Sequence, residues 1–253
     1  MARIIAVASG KGGVGKTTTS VNLSTILAEM GFRVAVVDGN LTTPNLGIHF
    51  GIPLYPVTIH DVVKGNADIY DAVYVNNNGL KIVPGSISVD DLLTAPYGLG
   101  SALESLVKTN DIIILDCAAG LGNEAKESLK IADELILITQ PDFPSVTDAL
   151  RTKKVADGFG VKTTGIVINR HGSAGNLTDE DIEDLLDAKV VSVIPEDRHL
   201  QDSIACKRPL VNHKPTSPAS KAFLALASHV SGEEIVHEEE GFLDRLFSFF
   251  GLK

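Results

Sequence analysis

The run Gly10-Lys11-Gly12-Gly13-Val14-Gly15-Lys16-Thr17-Thr18 puts two lysines and two hydroxyls around four glycines. Glycines let the backbone curl until successive N–H groups point at one phosphate. Lys16 supplies a charge for the β- and γ-phosphates, and the Thr17 hydroxyl is a magnesium ligand. Such a loop works only between a strand and a helix. The apolar run Ile4–Ala8 precedes it and a helix-like run, Val21 to Met30, follows it. The helix adds its positive N-terminal end to the phosphate cradle.

Two further apolar runs end in aspartate, Val34–Asp38 and Ile112–Asp116. A carboxylate at a buried strand tip beside a phosphate loop is placed to hold Mg²⁺, in part through its waters. Asp38, Asp116 and Thr17 are therefore the expected metal ligands.

The motif Lys-Gly-Gly-Val-Gly-Lys-Thr at Lys11 to Thr17 resembles the deviant Walker A loop of the MinD/ParA family of P-loop ATPases, and the likeness extends over nearly the whole chain. The resemblance implies an ATPase that dimerises around ATP, with Lys11 reaching across to the partner's nucleotide. It makes Lys11, Lys16, Asn40 and Asp116 the catalytic set. Gly10, Gly12, Gly13, Val14, Gly15, Lys16, Thr17 and Thr18 become the phosphate cradle. Asp116-Cys117-Ala118-Ala119-Gly120 is similar to switch II, in which the Gly120 N–H senses the γ-phosphate. Asp38 to Gly47 resembles switch I. There the chain departs from the family pattern, because Asn40 stands where a second aspartate usually orients water. An amide accepts a hydrogen bond but carries no charge and is no base, so slow hydrolysis is expected. The resemblance also sets Asp142 beside the dimer face, as a partner for Lys11 when no nucleotide is clamped.

Guanine-specific P-loop proteins read the base with an aspartate after Asn-Lys or Thr-Lys. This chain has Asn169-Arg170-His171-Gly172, with glycine in that place. Loss of the acceptor favours adenine. By resemblance, Asn169 and Arg170 contact adenine and the turn Pro195-Glu196-Asp197 closes the pocket. ATP/ADP and Mg²⁺ are the expected cofactors.

The remaining chain must hold these groups in place. Short apolar runs at Ile4–Ala8, Val34–Val37, Leu80–Val83, Ile112–Leu115, Leu135–Thr139, Gly165–Ile168 and Val190–Ile194 alternate with helix-length segments. The intervening helices are Ser101–Lys108, Asn123–Ile131, Val146–Asp157, Asp179–Leu186 and Ser217–His229. This alternation predicts an α/β fold, a three-layer P-loop NTPase with a mostly parallel central sheet flanked by helices. Ligands in such a sheet bind at the strands' carboxyl ends. Residues 53 to 93 are the least regular stretch, a strand-and-loop excursion.

The 253 residues carry 22 basic and 32 acidic side chains, a net charge of −10. That balance disfavours a protein that coats DNA. Cys117 and Cys206 form no CxxC spacing, which disfavours a metallocluster carrier and fits a reduced compartment. No acceptor-substrate site for a small-molecule kinase stands out. With no signal-like leader and no span-length apolar run, a cytoplasmic setting is expected.

Past Gly232 the composition changes. The expected organisation is an ATPase domain over 1–232, an acidic linker over 233–240 and an amphipathic helix over 241–253. Projected at about 100° per residue, Phe242, Leu243, Leu246, Phe247, Phe249 and Phe250 share one side. This resembles the family's membrane-targeting helix. Burying about six such side chains yields roughly 4–6 kcal/mol after ordering costs, too little for one tail. Two tails on one ATP-held dimer gain on the order of 10²–10⁴ in avidity. The expected partners are thus a second copy when ATP is bound, a membrane surface, and an activator or cargo protein. The competing reading is a ParA-like ATPase of DNA partition.

Overall fold

The computed structural model describes residues 1–51, 54–91, 98–172 and 177–233. The acidic stretch from Glu234 onward and the Phe-rich segment 241–253 lie outside the described residues.

Eight strands form one sheet: β1 (Arg3–Ala8), β2 (Val34–Gly39), β3 (Tyr74–Val75), β4 (Lys81–Val83), β5 (Ile112–Cys117), β6 (Glu134–Thr139), β7 (Lys162–His171) and β8 (Val190–Pro195). Their order is β3-β4-β2-β5-β1-β6-β7-β8. Every pairing is parallel except β3 with β4. The helices are α1 (Lys16–Glu29), α2 (Leu46–His49), α3 (Ile59–Val63), α4 (Leu99–Thr109), α5 (Asn123–Lys130), α6 (Phe143–Gly158), α7 (Asp179–Leu186), α8 (His199–Ala205), α9 (Leu210–His213) and α10 (Pro218–Ser231).

The period of two along each strand sorts the core into two layers. Ile4, Ala6 and Ala8 of β1 join Ile113 and Leu115 of β5 in a layer covered by α4, α5, α6 and α7. Ile5 and Val7 join Ile112 and Ile114 in the opposite layer, under α1, α9 and α10. Strands covered on both faces explain why these runs are apolar at consecutive positions.

Helix α1 is buried almost all round, although it carries Thr19, Ser20, Asn22, Ser24 and Thr25. Its polar groups are satisfied internally. Asn22 Nδ2 donates to Thr18 O at 2.8 Å, its Oδ1 accepts from Val211 N at 3.1 Å, and Thr25 Oγ1 donates to Val21 O at 2.7 Å. The helix that follows the glycine-rich loop is thereby fixed between the sheet, α9 and α10.

The expected strands and helices are present, several longer than the sequence runs suggest. Residues 54 to 91 differ more: besides β3 and β4 they contain α3 and two 3₁₀ turns, Ile69–Ala72 and Val89–Asp91. Capping boxes start two of these elements, Thr58 with Asp61 and Asp68 with Asp71. Short helices held by their caps leave little periodicity to read.

Candidate nucleotide site

β1 ends at Ala8, and the loop that follows turns into α1 at Lys16. Gly13 and Gly15 take left-handed conformations, with φ of 76° and 101°. Gly15 is required for a second reason: a Cβ there would lie 2.1 Å from Asn169 Nδ2. At Gly10 a Cβ would meet the backbone of Asp148 in α6 at 2.2 Å. Val14 is buried and anchors the loop, since Asn169 Nδ2 donates to its carbonyl at 2.7 Å.

A cleft of about 430 Å³ opens over this loop. Gly12, Gly13, Gly15, Lys16, Thr17 and Thr18 of the loop and α1 line it, together with Asn40, Thr43 and Asn45 after β2, Ala119 after β5, and Arg170 and Ile204. That size suits a small ligand. Burial lowers the pKa of Lys16, opposed by the nearby Asp116 carboxylate.

Asp38 and Asp116 are adjacent in register on neighbouring parallel strands, and both are buried. Thr17 Oγ1 donates to Asp116 Oδ2 at 2.6 Å, and Ser20 Oγ donates to Oδ1 at 3.1 Å. Asp38 accepts from the backbone N–H groups of Asn40, Asn45 and Leu46, each at 3.1 Å. Burial pushes both carboxyl pKa values up, and for Asp38 the neighbouring Asp116 pushes further. Two buried carboxylates side by side favour a cation. Among the described residues no group of three or more His, Cys, Asp and Glu is arranged as a self-sufficient metal site. Two carboxylates and a hydroxyl instead suit a magnesium ion that completes its shell with phosphate oxygens and water.

The two switches are held in a definite arrangement. Gly120 N–H donates to Ser9 O at 3.1 Å, so contact with a γ-phosphate requires that bond to be exchanged. Asn40 is folded onto Thr43: its Nδ2 donates to Thr43 O at 2.7 Å, and its Oδ1 accepts from Thr43 N at 3.2 Å. The amide oxygen that could hold water is engaged within its own loop. Thr42 Oγ1 bonds Glu124 of α5, joining switch I to the helix that follows switch II. Lys11 Nζ lies 3.7 Å from Asp142 Oδ1. Asp142 also caps α6, accepting from Ser145 N at 2.9 Å. Burial acts against the Asp142 carboxylate, but its bonds to Ser145 and the Lys11 charge outweigh it and lower the pKa.

Asn169 does not itself line the cleft: its side chain is buried behind Val14 and Gly15, and its Oδ1 has no partner. A buried acceptor without a donor is costly, and the exocyclic amine of adenine would satisfy it. Arg170 lines the cleft in a left-handed conformation, φ 56°, with its guanidinium 3.9 Å from Glu196. β8 brings Pro195 beside His171. Pro195 and Asp197 do not line the cleft. Asp197 Oδ1 accepts from His199 N at 2.9 Å. Burial acts against the Asp197 carboxylate, but His199, Ser217 and the Ala219 backbone outweigh it and lower the pKa.

Sequence reasoning missed Ser20, Ile48, His49 and Ile204. Ser20 lies one helical turn after Thr17, and that spacing was the available signal. Ile48 and His49 reach the cleft through α2, four residues long, too short to leave a pattern. Burial lowers the His49 pKa to about 4, so the ring facing the cleft is neutral at pH 7.

Fold and loop together define a P-loop nucleotide-binding protein. The CobQ/CobB/MinD/ParA nucleotide-binding domain matches residues 5–210, and the chain belongs to that family. It is 36% identical over 248 residues to an uncharacterized ATP-binding protein of Methanocaldococcus jannaschii, covering 97% of this chain and 94% of that protein. The crystal structure of the Pyrococcus furiosus cell division ATPase MinD is similar at a TM-score of 0.88 and 36% identity, over 92% of this chain and 99% of that one. Septum site-determining MinD of Pyrococcus horikoshii, complexed with Mg-ADP, also gives 0.88, with 35% identity over 96% and 100% of the two chains.

Proposed function

We propose that this protein is a MinD-type, ATP-switched ATPase that dimerises on ATP, attaches peripherally to a membrane from the cytoplasm, and positions a division-site or polar structure. Hydrolysis to ADP and phosphate releases it. The ATPase unit spans 1–232, the acidic linker 233–240 and the membrane-binding helix 241–253. An activator or cargo protein is the further partner, and the acidic balance argues against nucleic acid.

The observation that carries the reading is the place of Lys11. It stands on the phosphate loop, 40% exposed at its side chain, in an ion pair with Asp142. Exposed pairs contribute about 0–1 kcal/mol, so Lys11 can exchange Asp142 for a stronger anion at little cost. A γ-phosphate presented by a second copy is such an anion.

Within one subunit, the loop N–H groups and Lys16 hold the β- and γ-phosphates. Thr17, Asp116 and Asp38 would hold Mg²⁺, whose charge would offset that of the phosphates. Asn169 accepts from adenine. Asn40 is tied to Thr43 at both ends of its amide, and its carbonyl offers an attacking water no negative charge. Both features favour a long-lived ATP state.

Size-exclusion with light scattering tests the dimer. The natural chain is expected to double its mass with ATP but not ADP, and Lys11→Ala to stay monomeric while still binding ATP. A Lys11→Ala chain that dimerises with ATP as the natural chain does would refute this role.

A further inference from the structure

We infer that His60 is a positioning residue for switch I, acting through the Leu41 carbonyl. The inference rests on the ATPase reading above and adds a residue to its machinery.

His60 is fully buried in α3, outside the cleft. Its ring joins α3 to two loops, switch I and the loop after β4. Ser86 N–H points at Nδ1 at 3.0 Å, and Nε2 lies 2.8 Å from Leu41 O. A backbone N–H can only donate, so Nδ1 is bare. The proton is therefore on Nε2, which donates to Leu41. Neither contact can be reversed, so the ring has one tautomer and one orientation.

Leu41 directly follows Asn40, and its side chain is itself in the core. The loop carrying Ser86 presses on switch I from the other side: a Cβ on Gly85 would lie 2.4 Å from Pro44 Cβ and 3.4 Å from Asp38 Cγ. α3 is in turn fixed by its capping box and by Ile59 N donating to Pro84 O at 2.9 Å. The irregular stretch after switch I thus forms a buttress, and His60 is the contact through which it sets the backbone between Asp38 and Thr42. A small shift there would move both the metal carboxylate and the water-facing amide.

Two substitutions divide the ring's two bonds. His60→Asn keeps an acceptor at the Nδ1 position for Ser86 and loses the donor to Leu41. His60→Gln keeps a donor near the Nε2 position and loses the acceptor. Each removes one buried hydrogen bond, so both should lower the melting temperature similarly. Positioning through Leu41 requires kcat of His60→Asn to fall about 5- to 10-fold, with His60→Gln within about 2-fold of the natural chain and KM for ATP little changed in both. Equal kcat in the two variants would overturn the inference. A measurement on the natural chain needs no variant to fold: ¹⁵N NMR of the histidine rings should show His60 with a protonated Nε2 and a bare Nδ1. The opposite tautomer would overturn the assignment. Absence of ATP turnover in the natural chain would instead refute the ATPase reading and leave the tautomer result standing.

Discussion

Thr17 and Asp116, 99 residues apart in sequence, meet hydroxyl to carboxylate at 2.6 Å. The contact ties the start of α1 to the tip of β5, where a phosphate-bound magnesium would sit. Asp116 also accepts from Ser20, so its orientation is set by two hydroxyls on one face of α1. Thr17→Ala should raise the Mg²⁺ concentration needed for half-maximal turnover about 10-fold or more. Phosphate release titrated with MgCl₂ measures it, and an unchanged midpoint would remove Thr17 from the metal site.

Asn40→Asp should raise turnover about 10-fold or more. Aspartate keeps an acceptor for Thr43 N–H but lacks the Nδ2 donor to Thr43 O, so the side chain is both charged and freer to leave the loop. Steady-state ATPase rates decide this. Equal or lower turnover in the aspartate variant would show that Asn40 does not limit hydrolysis.

Asn169→Ala removes both the anchor on Val14 O and the unpartnered Oδ1. The ratio of ATP to GTP affinity should drop about 10-fold if that acceptor meets the amine of adenine, since guanine presents a carbonyl there. Competition binding against a fluorescent ATP analogue measures the ratio. A uniform loss for both nucleotides would assign Asn169 to loop support only.

Arg33 precedes β2 and Asp111 precedes β5, so their pair clamps the starts of the two strands whose far ends carry Asp38 and Asp116. Side-chain and backbone hydrogen bonds from Arg33 pull the Asp111 pKa down to about 2. For a depressed carboxyl, stability is present above the unfolded value and lost as pH falls through the folded one. Asp111→Asn should therefore lower the melting temperature slightly at pH 7, and the gap to the natural chain should close between about pH 4 and pH 2. A gap independent of pH would mean the loss is not electrostatic.

Much of the fold was legible because buried parallel strands write themselves as consecutive apolar residues. Ile112–Leu115 and Leu135–Thr139 needed no other signal. The phosphate loop was legible because Gly15 and Lys16 have no substitutes at their positions. What the sequence hid was how the loops engage their own residues. Nothing in the letters says that Asn40 spends both ends of its amide on Thr43, or that Gly120 bonds Ser9. His60 was equally silent: a lone histidine in an irregular stretch gains meaning only from the two backbone groups that the fold brings to its ring.

ATP binding and membrane attachment are coupled in the proposed cycle, and co-sedimentation with liposomes reads that coupling. The full chain should pellet with ATP far more than with ADP, and a chain ending at residue 240 should pellet with neither. Equal pelleting with ATP and ADP, or pelleting that survives loss of residues 241–253, would contradict the account.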